Sequence, residues 1–146
     1  MMQSYANVEA VLWPDCSTKW ARPLVSASVS AGFPSPAEDY VEGRLDLNHY
    51  LIKHPVATFY VRVSGDSMQG AGIDPGSILV VDRAVEADDG DIVIARIGDE
   101  LCVKRLRIHE GRIWLMPEND GYQPIEVIEG MDFEVWGRVM HAIRSY

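Results

Sequence analysis

From residue 57 onward, β-branched and aromatic runs alternate with turn residues, and this pattern limits more than any other what the chain can fold into. The runs cover residues 58–63, 78–82, 91–97, 101–108, 113–116, 125–128 and 133–143. Between them stand Asp74-Pro75-Gly76, Asp89-Gly90, Gly98-Asp99, Glu110-Gly111 and Glu129-Gly130, dipeptides and tripeptides that favour tight turns. Seven short strands joined in this way predict a mainly β domain with a curled or barrel-like sheet. A chain of 146 residues can bury roughly two-thirds of its unfolded surface around one core, so a second full domain is not expected.

The first 31 residues differ from the rest. Glu9, Asp15, Lys19 and Arg22 cancel, so residues 32–146 hold 20 acids, 11 bases and the whole net charge of -9. Their Ser/Ala-rich stretch, Pro23, and apolar Val11, Leu12, Trp13 and Trp20 follow neither a helical nor a strand period. The expectation is an extended arm, either disordered or docked on a surface, with the apolar side chains favouring docking. After Gly32 a short helix is predicted, with Ser35 as N-cap, Pro36 at the first helical position, Glu38 completing a capping box, and Gly43 stopping or breaking it. Asp46 then caps a further turn through Leu47, Tyr50 and Leu51.

Composition excludes several function classes. A surplus of acid argues against holding DNA directly, because neutralising phosphates requires excess Lys and Arg. Cys16 and Cys102 match neither a disulfide framework nor a metal site, which fits a reducing compartment. No signal-peptide pattern and no run of ~18 apolar residues is seen, so a cytoplasmic, non-membrane protein is expected. His49, His54, His109 and His141 show no metal-ligand spacing, and His141 reads as a sheet residue; neither metal nor cofactor is expected. The acidic run 82–91 reads as a solvated turn.

One constellation carries a mechanism. Ser67 follows a strand in V-S-G-D-S-M-Q-G-A-G, where the glycines give the backbone latitude and the amides of Asp66 and Ser67 can converge on a carbonyl oxygen. Most such clusters are simply turns. In the strand L-C-V-K-R-L-R-I, alternation puts Lys104 on one face with Cys102, Leu106 and Ile108. An apolar face disfavours the charged amine, so Lys104 can serve as general base for a serine hydroxyl. The commoner fate of a strand lysine is to reach solvent at an edge.

The pair S-G-D-S-M and, 37 positions after Ser67, the V-K-R-L strand resembles the self-cleaving Ser/Lys peptidase core shared by LexA-type repressors and UmuD proteins. The likeness runs from about Gly32 to the C-terminus. The segment from G-F-P-S-P through V-S-G-D-S-M is most similar to the UmuD branch. The resemblance implies the family's curled β fold, Ser67 as nucleophile, Lys104 as general base, backbone amides of Asp66 and Ser67 as oxyanion hole, and Ala31-Gly32 as the scissile bond. It implies removal of residues 1–31 from a peptidase domain of residues 32–146. It also implies a homodimer whose self-cleavage is promoted by a RecA nucleoprotein filament, and a trimmed dimer that joins a Y-family, UmuC-like polymerase in SOS translesion synthesis. Thirty-one residues without helical period do not supply the helix-turn-helix domain of a repressor. The competing readings are a non-cleaving interaction module, a membrane-bound signal peptidase and a repressor-like peptidase lacking its DNA-binding head. Ser67, Lys104 and Ala31-Gly32 together weigh against the first, the missing apolar span against the second.

Overall fold

A computed structural model describes residues 6–19, 21–25 and 41–146. Within them the chain runs β1 (Val8–Leu12), β2 (Ala21–Val25), β3 (Val41–Asp46), α1 (Leu47–Leu51), β4 (Thr58–Val63), β5 (Ile78–Asp82), β6 (Ile92–Ile97), β7 (Glu100–His109), β8 (Arg112–Met116), β9 (Ile125–Val127) and β10 (Phe133–Ile143). They fall into two units. One comprises the described residues up to Pro14 with residues 54–146, and the other residues 15–53.

The larger unit is a mainly β structure built on one antiparallel sheet, ordered β1-β4-β5-β10-β6-β7-β8-β9. Each of the seven expected runs is a strand, β4 to β10. The sheet curls because β10 serves two neighbours. Its first half pairs with β6, from Phe133↔Ile97 to Arg138↔Val93, and its second half with β5, from Arg138↔Asp82 to Ile143↔Ile78. Register slips at Val135/Gly137 and Val139/His141 mark bulges, which bend a strand and increase its twist. At the bend a Cβ on Gly137 would lie 2.8 Å from Val81 Cγ1 and 3.1 Å from the Asp82 carbonyl oxygen, so a side chain there would lift β10 off β5.

Alternation sorts the interior into two clusters. Phe59, Val61, Val63, Met68, Leu79, Val81, Ile94 and Val103 belong to the first, and Val93, Ala95, Cys102, Leu106 and Leu115 to the second. Strands β6 and β7 thus bury both faces, which is why their sequences read as nearly continuous apolar runs. Beyond the expected seven, β1 adds to the edge of β4, with Val8↔Val63, Ala10↔Arg62, Val11↔Val61 and Leu12↔Tyr60. A register slip between Val8 and Ala10 lets both valines, three residues apart, pack on the first cluster. The Trp13 ring lies 5.6 Å from that of Phe59, which meets Trp136 edge-on at 6.1 Å. Just before β1, the Asn7 N–H donates to the Leu101 carbonyl of β7 at 3.3 Å, so the first edge of the sheet returns toward its middle.

In the smaller unit β2 and β3 pair antiparallel, from Ala21↔Asp46 to Val25↔Val41. Asp46 caps α1 as expected, its Oδ1 accepting from the N–H groups of Asn48 and His49 at 3.0 and 3.4 Å. Gly43, expected to end a helix, instead lies within β3 opposite Leu24, because ladder pairing with β2 overrides a weak local preference. The expected helix start at Ser35, Pro36 and Glu38 lies outside the described residues. No helix among the described residues is long and apolar enough to cross a membrane.

Candidate active site

Strand β4 ends at Val63, and the chain turns through residues 64–68 into a short 3₁₀ turn at Gln69–Ala71. Ser67 sits in that turn and is buried, with 3% of its surface exposed. Lys104 reaches it from β7, where it pairs with Val93 of β6 and is 5% exposed. Its Nζ donates to Ser67 Oγ at 2.8 Å and to the Val103 carbonyl at 3.1 Å. Strand β8 begins to pair with β7 only at Arg105, so the edge of β7 just before it is not covered by β8.

The electrostatics ease the loss of the Lys104 proton. Burial lowers the proton affinity of Lys104 below the ordinary lysine value, opposed only in part by Cys102 where its thiol is ionised. Among the described residues the groups that meet Nζ are a hydroxyl and a carbonyl, not a carboxylate that would hold the proton in place. Cys102 shares the face of Lys104, and burial pushes its thiol up to about 11. It stays protonated near neutral pH and does not compete as nucleophile.

The turn is held from below by the loop after β8. Glu118 N–H donates to the Ser67 carbonyl at 2.8 Å, and Gly70 N–H donates to the Glu118 carbonyl at 2.7 Å. A Cβ on Gly70 would stand 2.6 Å from that carbonyl oxygen, so glycine is required for this approach. Arg105 binds the Glu118 carboxylate. Asp66 is clamped twice, its carbonyl accepting from Asn119 Nδ2 at 3.0 Å and its Oδ1 from the Tyr122 hydroxyl at 2.6 Å. Among the described residues no backbone acceptor pairs with the Ser67 N–H, whereas the Asp66 N–H also meets the Tyr122 hydroxyl. Both residues line a cleft of about 540 Å³ with Asn7, Lys104, Ile125 and Met131.

A buried serine hydroxyl bonded to a buried lysine amine in the wall of a cleft is a constellation suited to acyl transfer. The family model described as Peptidase S24-like matches residues 23–140. The chain belongs to the peptidase S24-like family. Protein SamA of Salmonella typhimurium is 46% identical over 123 residues, which is 84% of this chain and 87% of that one. Protein ImpA of Escherichia coli is 45% identical over 130 residues, 89% of this chain and 88% of its own. The LexA repressor of Bordetella petrii is 42% identical over 123 residues, 84% of this chain but 54% of the repressor. The likeness to LexA/UmuD-type proteins read from the motifs is therefore shown, and the curled β sheet agrees with the S24-like fold.

In this S24-like chain the structure brings together Ser67, Lys104 and Asp66, whereas Ala31 and Gly32 lie outside the described residues. Sequence reasoning missed Asn7. Its Nδ2 donates to Ser67 Oγ at 3.0 Å and to the Val103 carbonyl at 3.3 Å, and its Oδ1 accepts from Val103 N–H at 2.6 Å. Nothing local marks it, since Asn7 is a single polar residue in a stretch without period. Asn119 and Tyr122 were equally hidden in a polar loop. The acidic run 82–91 is not wholly solvated either: Asp82 is buried, accepts from Ala84 N–H at 2.8 Å and meets His54 Nδ1 at 2.6 Å. His141 lies in β10 opposite Val80, a sheet residue as expected. No group of potential metal ligands occurs among the described residues.

Proposed function

We propose that this chain is a UmuD-like self-cleaving serine peptidase that cuts its own Ala31-Gly32 bond with Ser67 as nucleophile and Lys104 as general base. The observation that carries the reading is the 2.8 Å contact between Lys104 Nζ and Ser67 Oγ, made by two buried residues. Neutral Lys104 takes the Ser67 hydroxyl proton while Oγ bonds to the Ala31 carbonyl carbon. The developing oxyanion is held by the N–H groups of Asp66 and Ser67. Collapse breaks the bond to the Gly32 nitrogen, which takes the proton from Lys104 and leaves an ester on Ser67. Lys104 then takes a proton from a water molecule whose oxygen bonds to the ester carbon, and returns it to Ser67 Oγ as the ester bond breaks, freeing residues 1–31 from the 32–146 domain.

Pairing of β2 with β3 supports this reading, because Val25↔Val41 brings together the two ends of residues 26–40, which carry the Ala31-Gly32 bond. By analogy with the UmuD branch, the protein is a cytoplasmic homodimer, a RecA nucleoprotein filament stimulates the cut, and the trimmed dimer serves a Y-family polymerase in SOS translesion synthesis. An acidic chain suits that accessory role, since it meets basic protein surfaces without holding DNA itself.

The test is incubation of the purified chain at alkaline pH, with and without activated RecA filament, read by mass spectrometry. A fragment beginning at Gly32 is expected, formed faster as pH rises and levelling off below the ordinary lysine value of about 10.4, since burial lowers Lys104, and absent in Ser67→Ala and Lys104→Ala. Continued cleavage in either variant would reject the pair, and a wild-type chain that stays intact would leave a non-cleaving interaction module.

A further inference from the structure

The Ser67 hydroxyl has a second buried partner that the two-residue scheme does not use. Asn7 is 6% exposed and tied on every side: its side chain takes both backbone groups of Val103, its N–H donates to the Leu101 carbonyl, and its carbonyl accepts from Ser64 N–H at 2.8 Å. It therefore spans the two chain segments that carry the reacting pair, the turn before Ser67 and the strand residue before Lys104.

We infer that Asn7 is a positioning residue of this peptidase, fixing the Ser67 hydroxyl and the β7 edge at Val103 so that Oγ and Nζ meet. The inference rests on the Ser67–Lys104 reading above.

A serine hydroxyl has one proton and two lone pairs. When Lys104 is neutral, the proton points to Nζ, the Asn7 amide occupies one lone pair and the other is left for the carbonyl carbon. Without Asn7 the hydroxyl is free to rotate away from the amine. Val103 would also lose a partner for each of its outward backbone groups, where β8 is not yet paired. Asn7 belongs to the segment ahead of the proposed cut, so strand β1 holds Asn7 in place and thereby takes part in the chemistry.

The experiment is alkaline self-cleavage of the full chain carrying Asn7→Ala or Asn7→Asp, followed by mass spectrometry across a pH series, with Ser67→Ala as control and thermal melts of each. Around Lys104 the titratable groups are Cys102 on its own strand and, lining the cleft, Asp66, Tyr122 and Glu126. All are retained in these variants. Asn7→Ala should cleave roughly 10- to 100-fold more slowly, the size expected when a group that fixes reacting geometry is removed. Asn7→Asp keeps an oxygen for Val103 N–H but places a negative charge beside Lys104, so its rate profile should move to higher pH. A residue that merely supports the fold would lower the melt without moving that profile.

Wild-type rates with an unmoved profile would overturn the inference, as would faster cleavage in Asn7→Ala. Loss of the folded state in both variants would overturn it too, by making Asn7 a fold residue alone. Cleavage that persists in Ser67→Ala would instead sink the peptidase reading on which the inference rests.

Discussion

Residues 6–12 and the β2–β3 hairpin both flank the proposed cut, and they are held in opposite ways. The first stretch is stitched into the larger sheet, with Val8 and Val11 on the first cluster and Asn7 buried against Ser67 and β7. The hairpin is held by its own ladder and by local contacts such as Arg44 Nη2 donating to the Ala21 carbonyl at 3.2 Å. Arg22, Pro23, Leu24 and Arg44 are exposed. An edge strand on a formed sheet takes its order from the core beneath it.

The contrast would break first at Phe59, the ring beneath Trp13. Phe59→Ala should cost about 3–5 kcal/mol in urea unfolding and should loosen the arm as well as the sheet; a loss under about 1 kcal/mol would mean that β1 does not rest on this core. Lys104→Met comes next. Burial lowers the affinity of Lys104 for its proton in the folded state, so below its folded value the native chain must carry a buried ammonium. As pH rises from there toward about 10.4, the unfolded chain is the one that retains the proton, and wild-type stability from this site increases. Lys104→Met should therefore be more stable than wild type by about 1–2 kcal/mol at neutral pH, with the gap closing toward pH ~10. A gap that widens with pH would contradict the assignment.

The smallest effect is a matched pair. Val11→Ala, on β1, should cost about 1 kcal/mol. Leu24→Ala, on β2 and 38% exposed, should stay within about 0.5 kcal/mol. Equal costs would erase the difference between the two segments.

Where periodicity was regular, structure was legible. Strands β4 to β10 and the capping role of Asp46 follow from alternation, turn residues and local hydrogen-bond chemistry. Strand β1 was not, because the bulge after Val8 breaks the period of two that identifies a strand. Strands β2 and β3 were missed for another reason: Ala-Arg-Pro-Leu-Val and Val-Glu-Gly-Arg-Leu-Asp become strands by pairing with each other across residues 26–40. Ser67 and Lys104 were legible as a motif pair, and Asp66 by adjacency. Asn7, Asn119 and Tyr122 were not, since a lone amide or phenol acquires its role only when distant backbone is folded against it.

By itself the sequence determined the class of fold, the family, the acidic surface and the identity of the two groups at the centre of the proposed chemistry. Those properties depend on residue type and short-range order, which the chain carries whether folded or not. Tertiary structure alone decided that Lys104 lies 2.8 Å from Ser67, that both are buried, and that Asn7 donates to the same hydroxyl. Distance and burial are properties of packed segments far apart in the chain, so they exist only once the sheet has curled.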